Sequence, residues 1–174
     1  MAHTRQQSKG FSVIEVMVAV SIISMSVLGI FSLLVYNQKA YLSTKNQFIA
    51  AMLSQEGAEL VRNVRDSNWL DGLAFNDGIP AAFRIDTQSG IKESITQVAS
   101  INEPAAKLLQ LDGVYRHDSG TPTAFARLIT AENIYEPPID AAVDGLKITS
   151  LVQWTERGTP RQRQTVVLLY DWRQ

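Results

Sequence analysis

The polarity of the chain changes near its start and again near residue 45. Residues 1–10 are polar and basic, with Arg5 and Lys9 as their cations. From Phe11 to Tyr36 apolar residues dominate, and Glu15 is the sole charge in those 26 positions. Residues 12–66 contain no proline, and glycine only at Gly29 and Gly57. Both facts predict one long α-helix. At about 1.5 Å per residue it would reach roughly 80 Å, against about 30 Å for the hydrocarbon core of a bilayer. Its second half must therefore leave a membrane. There Ile49, Leu53, Leu60 and Val64 recur at helical spacing with Met52 and Val61 beside them, and Gln55, Glu56, Glu59, Arg62 and Arg65 take the other side. Such a stripe predicts packing against the protein's own globular part. The pattern predicts a helix end near Asp66-Ser67-Asn68, with Arg62 and Arg65 in the last turn against the negative end of the helix dipole.

Beyond the helix the period shortens to two. Asn76-Asp77-Gly78 is a turn signal, and Ala82–Asp86 reads as a strand. Ile91, Ile95 and Val98 suit one face of a short helix. Leu108–Leu111 and Val114–His117 flank Asp112-Gly113, a hairpin dipeptide. Phe125–Thr130 is a further strand, and Glu136-Pro137-Pro138 breaks the chain. Leu146–Glu156 alternates, with Ile148, Val152 and Trp154 on one face and Lys147, Thr149 and Gln153 on the other. Arg157-Gly158-Thr159-Pro160 is a turn, and Thr165–Trp172 returns. Val166-Val167-Leu168-Leu169-Tyr170 is apolar on both faces, which suits a central strand or one covered by the long helix. The expected fold is α+β, a long N-terminal helix on a C-terminal antiparallel sheet. The expected organisation is a basic leader 1–10, a spanning helix 11–36, its amphipathic continuation 37–66 and a β-rich head 67–174.

Charge and composition narrow the function. The formal net charge is −1 and there is no cysteine. The first removes the electrostatic case for nucleic acid; the second removes disulfides, thiolate metal sites and a cysteine nucleophile. A secretory signal peptide would have a shorter apolar core, about 7–15 residues, and a small-residue cleavage site after it. Val16 to Tyr36 supplies 21 residues, enough for a plain membrane anchor of about 20. A helix that first spans a membrane and later packs against its own copies fits equally. Lysine and arginine near the two ends are balanced, Arg5 and Lys9 against Lys39 and Lys45. Since the long domain lies C-terminal, an N-terminus in the cytoplasm is expected.

Enzymatic chemistry finds little purchase. His3 lies in the leader, and His117 beside Asp118 reads as a solvated loop residue with no metal-ligand partner at motif spacing. Arg157, Arg161 and Arg163 read as a solvated turn, with a nucleic-acid contact as the minor alternative. Trp69, Trp154 and Trp172 read as anchors of the core or its rim. The unexplained group is Glu15, because a carboxylate at the centre of a spanning helix costs roughly 2.5–3.5 kcal/mol.

The segment Gly10-Phe11-Ser12-Val13-Ile14-Glu15, after its basic leader and before its apolar helix, resembles the cleavage and methylation signature of type IV pilins and pseudopilins. The resemblance implies that a prepilin peptidase cuts between Gly10 and Phe11 on the cytoplasmic side. Phe11 would become the new, N-methylated terminus, and Glu15 would pair with the free amine of a neighbouring subunit. It implies a single-pass prepilin in the cytoplasmic membrane, in contact with lipid, then with an inner-membrane assembly platform. The helix would finally pack on other pilin subunits in a filament outside the cytoplasm, with Ser21, Ser24, Ser26 and Gly29 permitting close approach. No catalytic, cofactor or metal role follows. The helix lacks the proline that many major pilins carry around the position of Ser32, and the head lacks their cysteine pair. Gln55–Asp66 looks like the helix end of some minor pilins. These points favour a minor pilin. A type II secretion or competence pseudopilin is one alternative, and a membrane-anchored binding protein is another of a different class.

Overall fold

The computed structural model describes residues 10–87, 90, 92–135 and 143–172. Residues 1–9, Ile91 and the Glu136-Pro137-Pro138 break lie outside the described residues. The chain divides into two compact units, Met1–Thr44 and Lys45–Gln174. One helix, α1 at Val13–Leu70, runs through the boundary between them.

In the first unit every described residue up to Leu42 is exposed. The serines there satisfy themselves. Ser21, Ser24, Ser26 and Ser32 donate their hydroxyls to the carbonyls of Met17, Val20, Ile22 and Leu28, at 2.7–3.0 Å. These four hydroxyls then need no water, a condition that a lipid core imposes.

In the second unit α1 buries Ala50, Leu53, Ser54, Gly57, Ala58, Leu60, Val61, Val64 and Asn68. Among the described residues seven strands form one antiparallel sheet: β1 Ala82–Arg84, β2 Thr96–Gln97, β3 Lys107–Leu111, β4 Val114–Arg116, β5 Thr121–Ile134, β6 Gly145–Glu156 and β7 Thr159–Tyr170. β5, β6 and β7 pair in sequence order, while β5 also takes β1 and β3 along its other side. The core faces α1. Leu60, Val61 and Val64 pack with Phe83, Ile85, Ile129, Leu146, Ile148 and Leu169. Ala50 and Leu53 pack with Leu108, Phe125, Val152 and Trp154. The helix lies close to the sheet at Gly57, where a Cβ would collide with the Ser150 hydroxyl and come within 3.2 Å of Arg127 Cδ. The outer face of β5 is covered by Val98 and Ala106, which pack on Ala126 and Leu128. The Asp112-Gly113 hairpin holds as expected, but the turn expected over Arg157-Gly158-Thr159-Pro160 is confined to Arg157-Gly158, and the returning strand runs from Thr159 to Tyr170, not from Thr165 to Trp172. Asp112-Gly113 and Arg157-Gly158 have φ between 51° and 83° at both positions, the geometry of the type I′ hairpin turn.

Three expectations need correction. The helix runs past Asp66 to Leu70, and its last turn carries no basic residue. It ends instead on paired backbone bonds, Leu73 N to the Asn68 carbonyl at 2.9 Å and Gly72 N to the Trp69 carbonyl at 3.3 Å. That is a Schellman cap. Arg65 lies over the Trp69 ring at 4.5 Å instead of closing the helix. Ile95 and Val98 do not share a helix face; they flank β2, and Val98 is buried by the sheet. Finally, of the two places expected for β7 it takes the second, covered by α1 on one face; it is not central, since among the described residues it pairs only with β6. Leu169 on its inner face is covered by α1, whereas Val166 and Leu168 on the outer face are exposed.

Candidate processing and assembly site

Gly10, Phe11 and Ser12 lie ahead of α1, outside any helix or strand. Ser12 is the residue on which the helix starts. Its carbonyl accepts from Glu15 N at 3.0 Å and Val16 N at 3.2 Å. Its hydroxyl accepts from Ile14 N at 3.4 Å, which satisfies one of the donors that a helix start leaves open. Ser12-Val13-Ile14-Glu15 therefore has capping-box spacing, with Glu15 as the acidic residue of the first turn. A carboxylate there meets the positive end of the helix dipole, a contribution of about 0.3–1 kcal/mol at an exposed site.

The three residues singled out in the sequence thus sit together at one exposed end of α1. Phe11 is 81% exposed. A Cβ added at Gly10 would meet nothing within 4 Å, so nothing in the chain's own packing requires glycine there. Behind the site runs an apolar surface from Val13 to Tyr36, exposed on all sides. A helix apolar all round is a membrane span or the core of a larger assembly.

The head holds a polar cluster that sequence reasoning missed. His117 is not a solvated loop residue but buried. Its Nδ1 lies 2.7 Å from Asp86 Oδ1, and its backbone N–H donates to both Asp86 oxygens at 3.2 Å. Arg127, fully buried on β5, donates to the Ile85 carbonyl at 2.8 Å and to the Leu53 carbonyl of α1 at 3.3 Å. It also faces Glu56 at 3.4 Å and Asp86 at 3.9 Å. Burial pushes the His117 pKa down, reinforced by Arg127 and Arg84 and only partly offset by Asp86. The neutral ring then donates Nδ1–H to an ionised Asp86. Burial works against that carboxylate, but the His117 ring hydrogen bond and the Arg127 charge outweigh it and hold Asp86 below the usual range. The cluster joins α1, the end of β1, β4 and β5. The sequence signal for it is parity: Arg127 alternates with Phe125 and Ile129, so all three must share the inward face of β5.

This cluster has the chemistry of a structural tie. No described cleft opens on it, and among the described residues no three His, Asp or Glu side chains gather as a metal site. An open cleft of about 550 Å³ elsewhere in the head is lined by Asn76, Ala81, Asn133 and Tyr135 among others, without an acidic or basic side chain. Trp154 is a core anchor, and Trp69 meets the exposed Trp172 edge-on at 4.8 Å.

The family model for the prokaryotic N-terminal methylation motif matches residues 5–36. That span contains Gly10, Phe11, Glu15 and the start of the apolar helix. No curated protein matches the chain, and no solved structure does.

Proposed function

The chain belongs to the type IV pilin and pseudopilin family by the methylation motif at its N-terminus, and from that premise we propose that it is a minor pilin, cut, methylated and built into a filament. A prepilin peptidase hydrolyses the Gly10–Phe11 bond at the cytoplasmic face of the membrane. Phe11 is then N-methylated. The inner-membrane assembly platform extracts the subunit from lipid, and α1 packs on the helices of other pilin subunits outside the cytoplasm. The role is structural and not enzymatic.

One observation carries this reading: the cleavage point is exposed and outside the helix, immediately ahead of an apolar span whose only charge is Glu15. Cleavage creates an ammonium group four residues before Glu15. In an assembled, water-poor helix bundle each charge is costly alone, so pairing between subunits rewards correct axial register. The uninterrupted course of α1 through Ser32 suits a subunit without the helix break of many major pilins.

The test is co-expression with a prepilin peptidase, read by N-terminal sequencing and intact mass. The product should begin at methylated Phe11, and Gly10→Leu should block its formation. An intact N-terminus in the wild-type chain would sink the reading and leave a membrane-anchored binding protein in its place.

A further inference from the structure

We infer that Ser12 is a positioning residue for the cleavage, keeping the scissile carbonyl out of the helix. The inference rests on the reading above, that the chain is cut between Gly10 and Phe11. In an α-helix each amide bonds the carbonyl four residues back. The amide that would occupy the Gly10 carbonyl is therefore that of Ile14. In the structure the Ile14 N–H points instead to Ser12 Oγ, at 3.4 Å. The next amide, Glu15 N, would occupy the Phe11 carbonyl and is taken by the Ser12 carbonyl at 3.0 Å. Ser12 thus engages both donors that a backward extension of α1 would need.

The consequence is chemical. Hydrolysis adds water across the Gly10–Phe11 bond. The carbonyl carbon of Gly10 takes the oxygen and becomes a carboxylate, and the Phe11 nitrogen leaves with a proton as the amine. The carbonyl must be open to attack and free to accept the peptidase's own donors. Inside a helix it would be bonded to Ile14 N–H and shielded by the turn around it. Without the Ser12 hydroxyl, that state becomes more accessible. Alanine is the best helix former, and the next residue upstream with a capping side chain is Ser8. A helix recapped at Ser8 would run across the cleavage point.

The experiment uses the full-length chain in membranes with a prepilin peptidase, comparing wild type, Ser12→Ala and Ser12→Asn. Initial rates are read from the mass of the product beginning at residue 11. Loss of a serine cap shifts a helix-start equilibrium by about five-fold. Ser12→Ala should therefore be cut more slowly, by up to about five-fold. Ser12→Asn keeps a capping acceptor without a hydroxyl and should be cut at close to the wild-type rate. Amide hydrogen exchange in micelles should show Ile14 better protected in Ser12→Ala, as a bond to Gly10 replaces the cap. Equal or faster cleavage of Ser12→Ala overturns the inference. So does Ser12→Asn as slow as Ser12→Ala, because the peptidase would then be reading the hydroxyl itself. A wild-type chain left uncut overturns both this inference and the function beneath it.

Discussion

Replacing Arg127 by methionine should destabilise the head more than any other change at a single polar side chain. The arginine is fully buried, and its guanidinium reaches α1, the end of β1 and Asp86 at once. Methionine keeps most of the stem's volume, so the loss is mainly polar. A hydrogen bond to a charged group contributes about 1.5–3 kcal/mol, and the bond to Ile85 is the short one, at 2.8 Å. The Leu53 carbonyl lies within α1 and Glu56 is partly exposed, so their losses are smaller. Asp86 is the residue stranded, a mostly buried carboxylate deprived of its nearest permanent cation. Removing one side of a buried charge pair costs about 3–5 kcal/mol, and we expect the total within that range. Urea unfolding of the full chain in detergent micelles, followed by the fluorescence of buried Trp154, measures it. Adding Asp86→Asn removes the stranded charge and should recover about 1–2 kcal/mol, as coupled neighbours do. A loss below about 1 kcal/mol, the ordinary effect of a substitution, would refute the idea that Arg127 ties helix to sheet.

The remaining predictions concern pH, packing and assembly. His117 has a lowered pKa in the fold, so below about 6.5, its ordinary value, the unfolded chain binds more protons and stability falls with falling pH. Asp86, also lowered, acts with the same sign but further into acid; His117→Gln should flatten the melting temperature just below about pH 6.5 and also weaken the acid limb below about pH 4, because the ring hydrogen bond that lowers Asp86 goes with it. Gly57→Val should cost about 1–3 kcal/mol by overpacking against Ser150 and Arg127, read as a lowered unfolding midpoint; an unchanged midpoint would mean that the helix can lift off the sheet freely. Glu15→Leu should leave membrane insertion and cleavage intact and remove the subunit from sheared filaments; normal incorporation would show that the carboxylate serves only to start the helix.

How far the sequence foretells the fold depends on whether each signal is local. The hairpins at Asp112-Gly113 and Arg157-Gly158 are legible because a dipeptide sets the turn and the flanking parity sets the faces. The helix end is not, because Asn68 is buried although polar, and the apolar stripe stops at Val64. The helix face is only half legible for a related reason. Ala50, Ser54, Gly57 and Ala58 contribute little hydropathy, yet their small size lets α1 lie close to the sheet. β7 misleads in the opposite direction. Val166 and Leu168 are apolar on an exposed edge, so of the two places an all-apolar strand suggests, the central one is wrong and cover by α1 holds for the inner face alone.

Asp86, His117 and Arg127 are the hardest case, and the N-terminal site is the easiest, for one physical reason. The three head residues are 31 and 10 positions apart and meet only because β5 pairs with β1 and β3, and β3 with β4. Parity points Arg127 inward, but Asp86 and His117 alone look like surface, and no short window of sequence contains all three. Gly10, Phe11, Ser12 and Glu15 fall within six consecutive residues, and the chain's own start of a helix is enough to bring them together. A site of the proposed kind, read by an outside enzyme while the chain sits in a membrane, would have to be of this second kind, since its geometry could not wait on the packing of the head. The same locality gives Ser12 its weight in the proposal: in so short a site, one hydroxyl at the helix start would set whether the Gly10–Phe11 bond lies outside it.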